Sequence, residues 1–324
     1  MQGLMTVFYK ELADHFTSWK GIILFIMVLL VSVFAVLGPS GALENLREQL
    51  ATPVQYGAGR FVFLYLFSTS GEGMYSFIWF IARILVPIVG IVLGLDAINS
   101  EKSSGTMSRL LAQPIYRDAV INGKFLAGVV TIAIMLTTTV LLVSAIGLVV
   151  LGVAPSSEEV ARLLLFWGLS ILYGAFWLGL AMLFSVYFQR VATSAISSLG
   201  IWIFFSFFMS MAARLAANVL APMSQTPTAP ELLRNYGIQI TASRISPIML
   251  FGEASIVLLA PGARTTGEML QLLHASGALW MPGPLSLGQT LLTIWPHLAT
   301  IGGITAGLFA ISYVKFMREE IRST

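Results

Sequence analysis

The sequence contains no cysteine, and only 10% of its 324 residues are charged. Without cysteine the chain has no thiol nucleophile and no thiolate metal ligand. A soluble globular domain usually carries about 25% charged residues, so this chain has too little charge to cover the surface of a soluble body. Hydrophobic residues make up 57%. Because backbone groups cannot stay unpaired in hydrocarbon, we expect an all-α integral membrane protein.

Titratable residues that could carry chemistry are also scarce. The three histidines are far apart and show no metal-ligand spacing, so no metal site is expected. A serine protease of the membrane would need a histidine positioned against a serine, and the sequence shows no such partner for His297. The aspartates Asp14, Asp96 and Asp118 fall outside the apolar segments, which argues against an intramembrane aspartyl protease. Basic residues are too sparse for a nucleic-acid surface. We therefore expect no catalytic residue and no nucleic-acid partner.

Long apolar runs, by contrast, are abundant. Six of them approach or exceed the roughly 20 residues that a helix needs to cross a bilayer. They cover residues 21–38, 75–95, 125–151, 163–186, 194–221 and 287–314. The first run is longer than a signal-peptide core of about 7–15 residues, so we expect it to remain as an anchor. Residues 21–324 thus form a six-span transmembrane domain, preceded at residues 1–20 by an amphipathic elbow helix.

Basic residues predict the orientation of the spans. All five lysines fall on one side of a six-span topology, namely Lys10, Lys20, Lys102, Lys124 and Lys315. Lysine and arginine mark the cytoplasmic side, so we expect both termini in the cytoplasm of a multi-pass protein of the inner or plasma membrane. Residues 96–123 then form a cytoplasmic loop and residues 222–286 an extracytoplasmic segment. Arginines are expected on the outer side as well, Arg162 and Arg244 among them.

Two further segments are apolar but unsuited to simple crossing. Residues 245–260 contain Glu253, whose carboxylate would be costly in mid-bilayer. We expect an interfacial or partly re-entrant helix there, with Glu253 solvated or capping a helix end. The shorter residues 61–67 are interpreted in the same way. At the fourth span, Ser156 and Glu159 have the spacing of a capping box.

Arg83 is the one charged residue in the second span. Such residues usually face an interior cavity or a partner. One interpretation is a packing arginine paired with carbonyls or hydroxyls. The other is that Arg83 lines the translocation path and contacts an acidic group of the cargo. Pro87, four residues further on, can kink the helix.

The cytoplasmic loop contains a short helical pattern. Met107, Leu110 and Leu111 fall at i, i+3 and i+4 and make a small apolar face, and Pro114 ends the pattern. A helix of about two turns is not stable alone in water, so it must dock on something. The residues leave open whether it docks on the membrane surface or on a soluble partner.

The loop resembles that of the type-two family of ATP-binding-cassette (ABC) exporter permeases. In that family an acidic residue precedes a Gly-Thr pair, a leucine-rich turn, a proline, an arginine and a Gly-Lys pair. This chain has these elements in order, as Glu101, Gly105-Thr106, Leu110-Leu111, Pro114, Arg117 and Gly123-Lys124. Its Lys10-Glu11-Leu12 also resembles the elbow helix of that family, and the six-span layout agrees.

The resemblance implies a permease subunit that is not an enzyme by itself. Such permeases work as dimers, with a second copy or a homologous permease, and each binds a cytoplasmic ABC ATPase subunit that holds ATP and Mg²⁺. The loop helix would be the coupling helix. Its ATPase contacts would be Glu101, Gly105, Thr106, Met107, Arg109, Leu110 and Leu111, with Arg190 as a second contact. Gly123-Lys124 lacks the first glycine of a P-loop, so hydrolysis is expected in the partner.

Two alternatives belong to other functional classes. An ATP-independent, ion-coupled carrier or channel would show internal repeats or more charges within its spans. A membrane scaffold would use the loop only to recruit a cytoplasmic partner. Export as the direction of transport rests on the resemblance alone, and the sequence does not indicate a substrate.

Overall fold

The computed structural model describes residues 2–37, 61–68, 77–105, 116–152, 154–224, 227–260 and 285–319. All regular structure in these ranges is helical. The helices are α1 (Gln2–Thr17), α2 (Trp19–Leu37), α3 (Val62–Ser68), α4 (Phe77–Phe80, a π-helical turn Ile81–Leu85, and Val86–Gly94), α5 (Asn99–Ser103), α6 (Arg117–Leu151), α7 (Ser157–Tyr187), α8 (Val191–Ile203, a π-helical turn Phe204–Phe208, and Met209–Leu220), α9 (Ala229–Ser243), α10 (Pro247–Leu259) and α11 (Leu287–Arg318).

Several of these helices could cross a membrane. Within the described ranges, five are long and apolar enough, counting α4 and α5 together. Two bent pairs raise the number to seven if each is one span: α1 with α2, at 65°, and α9 with α10, at 113°. An all-helical chain with this many apolar helices has the architecture of a multi-pass membrane protein.

Helix α7 is the centre of the bundle, and α4 lies against it at close range. A Cβ atom on Gly90 would lie 2.7 Å from Cβ of Trp177, and one on Gly94 would lie 2.7 Å from the carbonyl oxygen of Leu178. Small residues four apart let two membrane helices approach in this way. On another face of α7, the ring of Tyr173 stacks on Phe251 of α10, with centroids 4.4 Å apart.

The π-helical turn in α4 has a cause in the sequence. Pro87 has no backbone N–H, so the carbonyl of Arg83, four residues earlier, loses its usual helical donor. The indole N–H of Trp202 on α8 donates to that carbonyl instead, at 2.6 Å. The backbone N–H of Val86 bonds Ile81, five residues back. The kink expected from Pro87 thus takes the form of a π turn that is fastened to α8.

The N-terminus of α7 confirms the predicted capping box. The Ser156 hydroxyl accepts from the backbone N–H of Glu159, and the Glu159 carboxylate accepts from the N–H of Ser156, at 2.8 Å. The same buried carboxylate also accepts from the N–H of Phe63 at 2.9 Å. One side chain therefore caps both α7 and α3, and α3 packs inside the protein with Phe63, Leu64, Leu66 and Phe67 buried.

Arg162, one turn further along α7, is fully buried. Its Nη2 atom lies 2.9 Å from a Glu158 oxygen and donates to the carbonyl of Leu285 at 2.6 Å. Its Nη1 atom donates to the Thr290 hydroxyl at 3.1 Å, and the guanidinium lies 5.4 Å from the centroid of the Phe61 ring. This arginine therefore joins α7 to α11 and to the segment that enters α3.

The expectation that Glu253 is solvated or caps a helix end is wrong. Helix α10 is buried along most of its length between α7 and α11. Glu253 is only 8% exposed, and its Oε2 atom lies 2.9 Å from Nε of Arg244 and 2.8 Å from Nε2 of His297. A buried carboxylate is tolerated when it is paired and hydrogen-bonded, so Glu253 is neither solvated nor a helix cap. The 113° bend before α10 agrees with a re-entrant course.

Candidate functional site

Charged side chains from three helices meet at the end of the bundle where α7 ends and α6 begins. We call Lys10, Glu11, Glu101 and Lys124 the Lys124 cluster. Nζ of Lys124 lies 2.8 Å from an oxygen of Glu11 and 2.9 Å from one of Glu101, and the Lys124 side chain is only 5% exposed. Lys10 lies 3.2 Å from the same Glu11 oxygen. One buried cation on α6 thus holds carboxylates from α1 and α5.

The charges of the cluster balance, with two cations facing two carboxylates. Burial alone would raise the pKa of Glu11, but the charge and hydrogen bond of Lys124, and then those of Lys10, lower that pKa below its ordinary value. A lowered carboxylate pKa stabilises the folded state above the ordinary pKa, and that contribution is lost only in stronger acid. The cluster therefore holds α1, α5 and α6 together at neutral pH.

Further pairs surround the Lys124 cluster. Lys20 on α2 lies 2.7 Å from Asp96, just after α4, and Lys102 on α5 lies 2.6 Å from Glu319, just after α11. Arg117 donates to the backbone carbonyl of Glu319 at 2.8 Å. These bonds connect five helices, α2, α4, α5, α6 and α11, at the same end of the bundle.

Glycine and lysine of the Gly123-Lys124 pair have separate roles. A Cβ atom on Gly123 would lie 2.9 Å from a methyl carbon of Val7, so glycine lets α1 pack closely on α6. Lys124 then reaches Glu11 one helical turn further along α1. Helix α1 therefore docks on α6 at the Gly123-Lys124 pair.

Helix α5 has a defined start and end. The hydroxyl of Ser185, near the end of α7, accepts from the N–H groups of Ile98 and Asn99 at 2.9 and 3.1 Å. At the other end Gly105 has φ +70°, a left-handed backbone conformation that residues other than glycine adopt only at a cost in free energy. Glu101 thus lies within a short helix that ends at Ser103, just before Gly105, and the start of α5 is fixed on α7.

The predicted ATPase-contact residues fall into two groups. Glu101 and Gly105 are described and belong to α5 and its end. Arg190 is exposed at the start of α8, four residues after the Val186 carbonyl to which Lys102 donates at 3.1 Å, so it lies at the same end of the bundle. The other five lie outside the described residues: Thr106, Met107, Arg109, Leu110 and Leu111. Arg83 lies in the π turn of α4, away from the charged end, which follows the last residue of α4.

Sequence reasoning missed the partnership of Lys10, Glu11 and Lys124 with Glu101. Lys124 and Glu11 are 113 positions apart, and no spacing rule connects residues at that separation. The sequence offered two indications of this partnership: these charged residues border apolar segments, and they fall on one predicted side of the membrane.

His15 joins α1 to α6 next to the cluster. Its Nδ1 atom lies 2.9 Å from the Thr131 hydroxyl, which donates its own proton to the Ala127 carbonyl at 2.8 Å. The hydroxyl must therefore accept from His15, so Nδ1 carries the proton in the neutral ring. Burial lowers the pKa of His15 below its ordinary value of 6.5.

We expect acidification to loosen α1 from α6. Because the pKa of His15 is lowered when α1 is docked, the undocked state binds the proton first, and docking weakens progressively as pH falls below 6.5. Hydrogen exchange of the α1 backbone, corrected for intrinsic rates, should show protection decreasing over this range. His15→Gln keeps a donor for Thr131 but does not titrate, so its protection should change less. Equal pH dependence in both proteins would contradict this role of His15.

The fold and this charged end define a multi-pass helical membrane protein in which buried ion pairs join α1, α5 and α6. The chain belongs to the ABC-2 family of transporters, because the family model described as "ABC-2 family transporter protein" matches residues 5–321. It is thus a membrane component of the ABC transporter class.

Two curated relatives carry the same type of description. The chain is 31% identical over 158 residues to the probable ABC transporter permease protein NosY of Pseudomonas aeruginosa, covering 47% of this chain and 54% of the relative. It is 29% identical over 159 residues to the probable ABC transporter permease protein NosY of Stutzerimonas stutzeri, with the same coverage. The aligned part of the chain spans about half the length of these relatives.

Proposed function

We propose that this chain is the permease subunit of an ATP-driven exporter, in which a separate cytoplasmic ATPase subunit binds ATP and Mg²⁺ and moves the loop that begins with α5. The observation that carries the proposal is the Lys124 cluster. It ties Glu101 on α5 to α1 and α6 through a buried lysine. A force on the loop would therefore reach two other helices directly. Family membership favours this function over an ion-coupled carrier or a scaffold.

The proposed topology has six spans with both termini in the cytoplasm of the inner or plasma membrane. Helix α2 supplies the first span, and the five long apolar helices supply the others. Helix α1 is the elbow at the inner surface, since it is set at 65° to α2 and carries the Lys124 cluster partners. The charged end of the bundle then faces the cytoplasm, where an ATPase would meet it.

The working unit is proposed to be a dimer of permeases surrounded by lipid. Most of α8 and α11 faces outwards, with large apolar side chains exposed, such as Phe207 at 61% and Leu292 at 79%. A bilayer and a second permease are the two surroundings that suit such faces. Arg83 is proposed to line the translocation path.

Site-specific cross-linking tests the coupling role, and the absence of cysteine makes it direct. Ser103→Cys on α5 and Arg190→Cys at the start of α8 are both exposed positions at the charged end. Each should cross-link to a nucleotide-binding protein in the purified complex. Ser224→Cys, exposed at the opposite end of α8, should not. If neither position at the charged end ever reaches such a protein, the proposed coupling is wrong.

A further inference from the structure

The π-helical turns of α4 and α8 meet inside the bundle. Arg83 is the middle residue of the first and Ser206 the middle residue of the second. Both line one cavity of ≈30 Å³, together with Ser246 from the turn before α10. The Trp202 bond to the Arg83 carbonyl fastens the two turns together. π turns of this kind frequently lie at functional sites, because they aim side chains out of the regular helical pattern.

Two buried hydroxyls in this cavity have no hydrogen-bond partner within the described part of the chain. Ser206 is 5% exposed and Ser246 is 3% exposed, and Oγ is unsatisfied in both. An unpaired buried hydroxyl destabilises the protein. A ligand that forms a hydrogen bond with the hydroxyl would remove this destabilisation. Since a guanidinium can only donate, a group that bonds all three side chains must accept hydrogen bonds.

The rest of the lining indicates what such a ligand is attached to. Phe205, Met209, Ile248 and Met249 make the apolar part of the lining. Ser210 and Ser243 also line the cavity, and their hydroxyls already donate to carbonyls of their own helices. A cation and two unsatisfied hydroxyls beside apolar side chains match an acidic head attached to an apolar body. Charge-assisted bonds from a guanidinium favour carboxylate and phosphate oxygens in particular.

We propose that Arg83, Ser206 and Ser246 bind the oxyanion head, a phosphate or carboxylate, of an amphiphilic substrate. This inference rests on the proposed function, since it assigns a substrate class to the same permease. Arg83 supplies the charge and the two serines supply donors. The turn before α10 contributes Ser246, so the site joins α4, α8 and the segment leading into α10.

Lipid binding to the purified full chain in nanodiscs, without nucleotide, tests the proposal. The probes are phosphatidylglycerol in phosphatidylcholine, phosphatidylcholine alone, and soluble inorganic phosphate, with bound lipid counted by native mass spectrometry. Arg83→Gln should weaken phosphatidylglycerol binding about tenfold or more, because a hydrogen bond to a charged group is lost. Ser206→Ala with Ser246→Ala should weaken it severalfold, and Arg83→Lys should retain most of it.

Ser198→Ala is the matched control, because Ser198 is buried on the same helix but donates to the Ser194 carbonyl at 2.9 Å. It should leave lipid binding unchanged. Competition by inorganic phosphate would identify the free ion as a ligand of the same oxyanion site, and its absence would identify the amphiphile. Equal phosphatidylglycerol binding by the wild type, Arg83→Gln and the double serine variant would overturn the proposal. If Arg83→Gln fails to fold, the serine variant decides, since alanine removes only unsatisfied hydroxyls.

The cross-linking experiment at Ser103 and Arg190 does not depend on this site. If the wild type and the variants bind phosphatidylglycerol equally while the cross-links form, the substrate class is overturned and the coupling role stands. If the variants lose phosphatidylglycerol binding but no cross-links form, the coupling role is overturned and the oxyanion site stands.

Discussion

Lys124→Ala is expected to destabilise the protein by about 3–5 kcal/mol, the usual cost of removing one partner from a buried ion pair. The substitution leaves the Glu11 and Glu101 carboxylates at 12% and 14% side-chain exposure without the cation that lies within 2.9 Å of both. Repulsion between them should then release α1 and α5 from α6. We expect a lower unfolding temperature in detergent and, in the complex with an ATPase, a loss of transport-linked ATP hydrolysis.

Lys20→Ala is the matched control for this prediction. Lys20 also pairs across helices, with Asp96, but the two side chains are 38% and 33% exposed. Exposed pairs contribute about 0–1 kcal/mol, so its unfolding temperature should hardly change. Adding Glu11→Gln and Glu101→Gln to Lys124→Ala should recover part of the loss, because it removes two little-exposed carboxylates that would face only the half-exposed Lys10. Similar effects of Lys124→Ala and Lys20→Ala would show that burial of the cluster does not matter.

Arg162→Met is expected to have a comparable effect at the other end of α7. Methionine fills much of the space but leaves the Leu285 carbonyl and the Thr290 hydroxyl without their donor inside the bundle. Loss of one partner from such a buried network costs about 3–5 kcal/mol. Because these bonds hold the start of α11 to α7, hydrogen exchange should increase first in α11 near Thr290.

Arg234→Met provides the comparison for Arg162. Arg234 lies on α9, is exposed, and has no hydrogen bond or ion pair to the described residues. Surface substitutions of this kind usually change stability by less than about 0.5 kcal/mol. If Arg162→Met unfolds at the same temperature as Arg234→Met, the hydrogen bonds of the Arg162 guanidinium do not stabilise the protein.

Local features of the fold could be predicted because they depend on neighbours in the sequence. Ser156 and Glu159 are three residues apart, and their capping box forms as their spacing indicates. Pro87 removes one backbone donor, so a distortion four residues earlier follows from the chemistry of proline. The apolar runs give helices because hydrocarbon leaves the backbone no other partner.

The buried charges could not be predicted in this way. Glu253 was expected to be solvated or to cap a helix end because a carboxylate is costly in mid-bilayer, yet Arg244 and His297 reach it from outside α10. Arg162 shows the same effect, since its acceptors at Leu285 and Thr290 lie more than a hundred positions away. Whether a buried charge is tolerated depends on which partners packing delivers, and spacing along one helix says nothing about that.

The sequence by itself determined that this is a helical membrane protein with the loop motif of an ABC permease, because bilayer length, charge scarcity and the Glu101 to Lys124 pattern are properties of the chain read in order. Only the tertiary structure decided how that loop is held. Lys124 selects Glu11 and Glu101 because α1 packs against α6 at Gly123. Coulomb attraction acts over a few ångströms in space, whatever the distance along the chain.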